Sequence, residues 1–421
     1  MLKKHFSLFT LCFIVFLDFL GYALILPVLT PIFLDSELSF LPKHYSNQTR
    51  TLLFGLVAAA YPIAQFFGAP IIGALSDRFG RKRMLTLTIF GTIVGNLAFV
   101  LGFSFVNLYI LVIGRLISGF MGGNSALANS MVGDVSHENE KSRNYGFIGL
   151  AMGLGIVLGP FIGGRLAHQD WNFNWNIFGN VYDFAIRTTA LTPFYLATIL
   201  SVFAMFCVII FLHETLGEHV RSKIEPFNGV KVLYHSFRNS HLRVVYFMTL
   251  LLAFAFNVFI YNLNIYLFHK FNFSPEQLGN FFAFSGLCLV IALGVINPFV
   301  SKHFKSIDVL KISLIGMAIT IILSILPQRT VTMYAVMPFL ALFYGLSQAN
   351  VAALLSNHAG EDGQGEEFGV NQAIQYFVDG ITPISSALML TLYIFAPTFL
   401  AASAALICWT IFIVFFLGKN K

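Results

Sequence analysis

The chain has 421 residues, of which 57% are hydrophobic and only 10% charged, and it carries a formal net charge of +6. Soluble domains carry about 25% charged residues, so this composition excludes a soluble enzyme and leaves a membrane protein. The positive balance is not evidence for nucleic-acid binding until it has been mapped onto the segments between apolar runs.

Lys3 and Lys4 precede an apolar run from Ser7 to Phe33 with no small-residue cleavage site. That run is too long for a signal-peptide core and reads as a first span that stays. Further runs cover Leu52 to Leu75, Met84 to Phe103, Leu108 to Val132, Tyr145 to Ala167 and Leu191 to Leu212. After a polar stretch come Val244 to Phe268, Gln277 to Val300, Val309 to Leu326, Thr332 to Ser356, Phe368 to Leu392 and Phe395 to Leu417. About 20 apolar residues cross a bilayer as a helix, so the chain should cross it twelve times, with both termini on one side. Threaded from a cytoplasmic N-terminus, eighteen Lys and Arg fall on the cytoplasmic face and six on the other, with Arg115 left inside a span. This asymmetry orients the chain and accounts for its basic balance, so no nucleic-acid partner is called for. Cys12, Cys207, Cys288 and Cys408 all lie in apolar runs without paired spacing, and read as small buried hydrophobes, not as disulfides or metal ligands.

Charges inside spans cost about 2.5–3.5 kcal/mol each on insertion scales, so they are functional candidates. The first is Asp18, in Leu17-Asp18-Phe-Leu-Gly21-Tyr-Ala-Leu-Ile-Leu-Pro27. It could be an interior acid that holds helices together. A carboxyl group in a poorly hydrated cavity could equally load and unload a proton as access alternates. The stretch resembles first spans of the tetracycline-resistance branch of drug:proton antiporters, which implies the proton role.

Between the second and third spans lies Gly73-Ala-Leu-Ser-Asp77-Arg78-Phe-Gly80-Arg81-Lys82-Arg83. It reads as a tight cytoplasmic loop, with Asp77 free to pair with Arg78, Arg81 or a neighbouring helix N-terminus. An orientation signal alone would need only the positive charges. The whole pattern resembles the signature loop of the major facilitator superfamily. That resemblance implies a cytoplasmic gate in which Gly73, Asp77, Arg78, Gly80, Arg81 and Lys82 take part and the acid holds the outward-facing state.

Arg115, in Leu111-Val-Ile-Gly-Arg115-Leu-Ile-Ser-Gly119, resembles the buried arginine of that superfamily's fourth span, which implies an electrostatic part in proton transfer, since arginine does not deprotonate. The family's next glycine is displaced here, with Met121 before Gly122 and Gly123. In span five, Gly146, Gly155, Gly159-Pro160 and Gly163-Gly164 line up so that glycines four apart permit close helix contact while Pro160 bends the helix. The full pattern resembles the antiporter motif of drug exporters and implies export.

The outward segment from His168 to Ala190, with Asp170-Trp171-Asn-Phe-Asn-Trp175-Asn, suits an interfacial belt or a cap over a cavity. The connection from 214 to 243 is polar, basic and without a core of its own, which makes it a linker between bundles 1–213 and 244–421. The halves show faint similarity about 223 residues apart: Phe120, Gly122, Ala126 and Pro160 match Phe343, Gly345, Ala349 and Pro383, and Pro298-Phe-Val-Ser301-Lys302-His-Phe-Lys305 is a degraded signature loop. Asn257, Tyr261 and Asn264 in span seven and Gln348 in span ten are cavity candidates or ordinary interhelical hydrogen-bonding residues. In span eleven Gln372, Gln375 and Asp379 share a helix face that should look into the interior. An acidic stretch, Glu361 to Glu367, precedes it.

The expected fold is thus an all-α membrane protein of twelve helices in two pseudo-symmetric six-helix bundles. The expected function is proton-coupled export of a small organic compound or drug by alternating access, without cofactor or metal, from a monomer in a bacterial inner membrane. Asp18, Arg115 and Asp379 would couple the proton; proton entry yields about 2.3 kcal/mol per charge per 100 mV. The outer segment and the acid in span eleven keep a second reading open, proton-coupled uptake of a metabolite, nutrient or siderophore-like chelator. A transport-inactive receptor is the third. No nucleophile and base pair, and no metal-ligand cluster, points to an enzyme.

Overall fold

The computed structural model describes residues 2–35, 40–136, 138–167, 171–177, 180–186, 189–216, 230–231, 234, 237–238, 242–359 and 364–417. Most of the 214–243 linker lies outside the described residues, as do the side chains of 168–188 and of the acidic 361–367 stretch.

With no water in a bilayer core, each backbone N–H and C=O must be satisfied within its own segment, and helix is the result. The first half contains α1 (Leu2–Leu34), α2 (Asn47–Phe79), α3 (Arg81–Ser104), α4 (Leu108–Phe120), α5 (Asn124–Val135), α6 (Glu138–Leu166) and α7 (Thr192–Phe211). The second contains α8 (Arg243–Phe271), α9 (Pro275–Ile291), α10 (Asn297–His303), α11 (Ser306–Leu323), α12 (Thr330–Ala359), α13 (Gln364–Leu392) and α14 (Ala396–Phe412). Among the described residues, eleven spans are long and apolar enough to cross a membrane, α4 with α5 and α9 with α10 each forming one. The twelfth, α13, is 29 residues long but is diluted by Asn371, Gln372, Gln375 and Asp379. Polar caps mark the entries: Ser46 Oγ accepts from the Thr49 amide at 3.2 Å, and Ser274 with Gln277 closes a capping box on α9.

Three stretches differ from the sequence expectation. The tight loop at Gly73 to Arg83 is nearly all helix, because α2 continues through Asp77 and Arg78 and α3 begins at Arg81. Gly80 alone reverses the chain, at φ 101°, where a side chain is strained. Span eight is interrupted by a π-turn at Ala292–Ile296. Pro298 has no N–H to offer, and the ladder slips so that the Asn297 amide reaches back five residues to the Ala292 carbonyl. The outer segment forms an antiparallel ribbon, β1 (Trp171–Ile177) against β2 (Asn180–Ile186), with Trp171 opposite Ile186. Its alternation of aromatic residues and Asn has a period of two, a strand signal present in the sequence.

One core cluster is built only from residues between Leu242 and Phe412. Two others are built from the first half, one of them taking in Ile265 of α8, with Tyr261, Phe268 and Leu390 of the second half packed against it. Between them α6 acts as a shared wall. A Cβ at Gly155, Gly159 or Gly163 would strike α1 at Leu20, Ala23 or Leu24, and one at Gly164 would strike α9 at Pro275. Pro160 and Gly164 likewise meet Gly279. Further along the same helix Gly146 and Gly149 face open space. Replacing Gly163 by Val should therefore overpack the α1–α6 seam and lower stability by about 1–3 kcal/mol, whereas Gly146→Ala should leave the thermal unfolding midpoint of the purified protein unchanged.

Candidate functional site

The helices enclose a central cavity of about 420 Å³ between the two halves. Leu26, Leu29, Phe54 and Pro62 from α1 and α2 form one wall, and Phe256, Ile260, Tyr261 and Phe282 from α8 and α9 the facing one. Into this apolar space project Arg115 from α4, Asp379 from α13, and Asn257 and Asn264 from α8.

The cavity is shut at the end that carries the ribbon. Phe54 stacks on Tyr261 with ring centroids 5.2 Å apart, and Asn264 Nδ2 donates to the Leu26 carbonyl at 3.4 Å. Gly55 leaves room for the backbone of Pro383 and the methyl of Ala387, and Arg165 on α6 pairs with Glu276 on α9 at 3.6 Å. Towards the basic end these seams come apart. Gly153 still meets Val290, and Phe66 still lies 5.9 Å from Phe377, but Gly73, Gly146, Gly294 and Gly369 have nothing facing them. The two halves therefore touch at the ribbon end and diverge towards Arg78–Arg83.

The three intramembrane charges fall into two places. Arg115 and Asp379 line the central cavity. The Asp379 carboxylate accepts from Asn257 Nδ2 at 2.6 Å. Asp18 faces away from that cavity into a pocket of about 10 Å³ inside the first half, beside Thr92 and Ser201, where Asn124 Nδ2 donates to it at 2.8 Å. The displaced glycines near Arg115 end α4 at Phe120, and α5 restarts at Asn124. Gln65 Nε2 pins this break by donating to the Gly122 carbonyl at 2.6 Å. Tyr61 bridges the two places: Arg115 lies over its ring at 5.2 Å, its ring is 5.5 Å from that of Tyr22, and its hydroxyl abuts Gly122.

Of the other sequence candidates, Asn257, Tyr261 and Asn264 line the cavity, whereas Gln348, Gln372 and Gln375 do not. Gln375 and Gln372 lie one and two turns from Asp379 towards the basic end, so the shared face continues past the enclosed space. Gly159 and Gly163 belong to the helix seam, and Pro160 both to that seam and to the cavity wall. At the basic end Asp77 pairs with Arg81 at 3.4 Å, and Arg81 also pairs with Asp134 of α5. Glu214, past the end of α7, accepts from the Arg81 amide at 2.9 Å and the Lys82 amide at 3.2 Å, so it neutralises the start of α3. Gln65, Asn124, Tyr22 and Tyr61 escaped the sequence reading. For Gln65 and Asn124 the signal was a polar side chain within a span; the tyrosines look like ordinary core residues until the fold aims them inward.

The family model described as Major Facilitator Superfamily matches residues 11–383, with a further match over 245–421. The quinolone resistance protein NorA of Staphylococcus aureus is 25% identical over 95% of this chain and 94% of its own. The class B tetracycline resistance protein of Escherichia coli is 30% identical over 53% of this chain and 48% of its own. Among solved structures, the human organic anion transporter MFSD10 superposes with a TM-score of 0.71 at 18% identity, covering 97% of this chain and 99% of that one. A D-xylose-proton symporter gives the same TM-score at 16% identity, over 96% and 98%.

The Arg165–Glu276 pair joins the two halves at the closed end, so Glu276→Gln should loosen that end. A cysteine at Leu29, in a background free of the four native cysteines, should then react with an impermeant maleimide from the ribbon side about two- to fivefold faster, in keeping with a partly exposed ion pair. An exchanged pair, Arg165→Glu with Glu276→Arg, should restore the slow rate.

Proposed function

Since the chain belongs to the major facilitator superfamily and is a multi-pass membrane transporter, not an enzyme, we propose that it is a proton-coupled exporter of small, partly apolar organic compounds. The observation that carries this reading is the central cavity: one wall holds a cation and another an acid, the space between is aromatic and aliphatic, and the halves part towards the basic end, where Gly73, Gly146, Gly294 and Gly369 have nothing facing them. Such a site binds by apolar contact and orients by a few polar groups. With the basic loop and both termini in the cytoplasm, the open end faces inward, the side from which an exporter loads.

The two halves rock about the α6–α9 and α2–α13 seams, so that the divergence at the basic end closes as the ribbon end opens. Protonation of Asp379, or of Asp18 behind the cavity, favours one facing state, and cargo is released before the proton is taken up. The cluster of Asp77, Arg81, Asp134 and Glu214 stores the charges of the gate within the first half while the basic end is open. On closure Asp77 becomes available to the end of α13. Resistance to quinolones and to tetracycline in the names of two relatives supports export and gives a probe class.

In inverted membrane vesicles acidified inside, a fluorescent quinolone should accumulate, and accumulation should stop when the proton gradient is collapsed. Loss of quinolone from such vesicles would make the chain an uptake carrier. Asp77→Asn should slow accumulation by about 5- to 100-fold, the range of a typical coupling energy, with the thermal unfolding midpoint unchanged. Asp379→Asn should uncouple accumulation from the gradient.

A further inference from the structure

A buried charge is retained at a cost unless something neutralises it, and Arg115 lacks a neutralising partner. It is only 6% exposed, and its Nε has no hydrogen-bond acceptor. Among the described residues no carboxylate forms an ion pair with it. Its neighbours are rings, Tyr61 at 5.2 Å and Phe99 at 6.0 Å from the guanidinium carbon. Rings ease the presence of a cation but cannot accept from five N–H donors in a fixed fork. The side chain nevertheless reaches the cavity wall. Both intramembrane acids are engaged elsewhere, Asp379 with Asn257 and Asp18 with Asn124 in the separate pocket.

From this unpaired, inward-aimed guanidinium we propose that Arg115 is the docking point for an anionic group on the cargo, and that the cavity takes aromatic organic acids whose carboxylate pairs with it in two-pronged fashion. The proposal rests on the transporter reading above and deepens it by naming the substrate class. A planar carboxylate matches the guanidinium fork, and bidentate pairs of this kind are among the stronger charge-assisted hydrogen bonds. The ring system of such an acid has Tyr22, Phe54 and Tyr261 to lie against. A space of about 420 Å³ suits a body of two or three rings. Arg115 then belongs to cargo recognition, and the proton is left to the carboxylates. An arriving anion also neutralises a buried charge that no carboxylate answers among the described residues, which favours closure around cargo over closure around an empty cavity.

Three probes of one skeleton test this with purified full-length protein: 1-naphthaleneacetate, its neutral amide, and 2-(1-naphthyl)ethylamine as the cation. Dissociation constants would be read by ligand-induced thermal stabilisation. The carboxylate should bind about ten- to a hundredfold tighter than the amide or the amine, as expected for hydrogen bonds to a charged partner. Arg115→Met should bring all three within about twofold, and Arg115→Lys, which keeps the charge but loses the fork, should fall between. The wild-type ranking needs no substitution and stands even if Arg115→Met fails to fold, in which case Arg115→Lys carries the assignment. An amine that binds as tightly as the carboxylate, or a preference that survives Arg115→Met, would overturn the proposal. Arg115-dependent binding of the acid without proton-driven quinolone movement would remove the exporter reading and leave the docking site standing. Quinolone export with no preference among the probes would do the reverse.

Discussion

The close backbone approach along α6 is the constraint on which the rest of the structure depends. A helix that must touch α1 on one side and α9 on the other has no room for side chains at the contact points, and Gly155, Gly159, Gly163 and Gly164 supply that room. In a bilayer the lipid tails are as apolar as Leu, so helices gain little by hiding apolar surface from their surroundings. Association rests on close packing and a few polar contacts. The glycine-lined seam delivers this packing at the ribbon end only. Beyond Gly153 the same helix runs free of α9, and the opening between the halves follows from where its glycines find partners and where they do not.

The charges are arranged on the frame that this contact creates. At the basic end Arg81, Asp77, Asp134 and Glu214 compensate one another within the first half, close to water, where screening keeps each pair inexpensive. Deep in the membrane the arrangement is the opposite. Asp18 and Asp379 each have an asparagine amide, in separate compartments, and among the described residues Arg115 has aromatic faces and no carboxylate. A site that leaves one charge unanswered in a low-dielectric space can discriminate among ligands by the charge that they bring. Tyr61 stands between the compartments, in contact with Arg115 on one side and with the break between α4 and α5 on the other.

How much of this was legible in the sequence differs by the kind of signal. Helix number and position were legible because hydropathy over a whole span is a sum of many residues, and no single contact can reverse it. The seam was legible because glycines at four-residue spacing have few other uses in a membrane helix. The cavity was legible only in part. Asn257, Tyr261 and Asn264 line it, but Gln372 and Gln375, on the same face of α13 as Asp379, fall below it. Helical periodicity states which residues share a face and not how deep along the axis the facing helix draws away. The one-residue turn at Gly80 and the π-turn before Pro298 were missed because both depend on backbone geometry at a boundary, where propensity is weakest.

The sequence by itself determined a helical membrane protein, its likeness to a transporter family and the charges that had to lie within the bilayer, since each of these follows from composition and spacing along one chain. Only the tertiary structure decided that Arg115 and Asp379 share a cavity while Asp18 does not, that Gln65 pins the break near Arg115, and that the halves meet at one end and part at the other. Those facts are relations between helices distant in sequence. They are set by how deep each helix sits and how it is rotated against its neighbours, which no single span encodes.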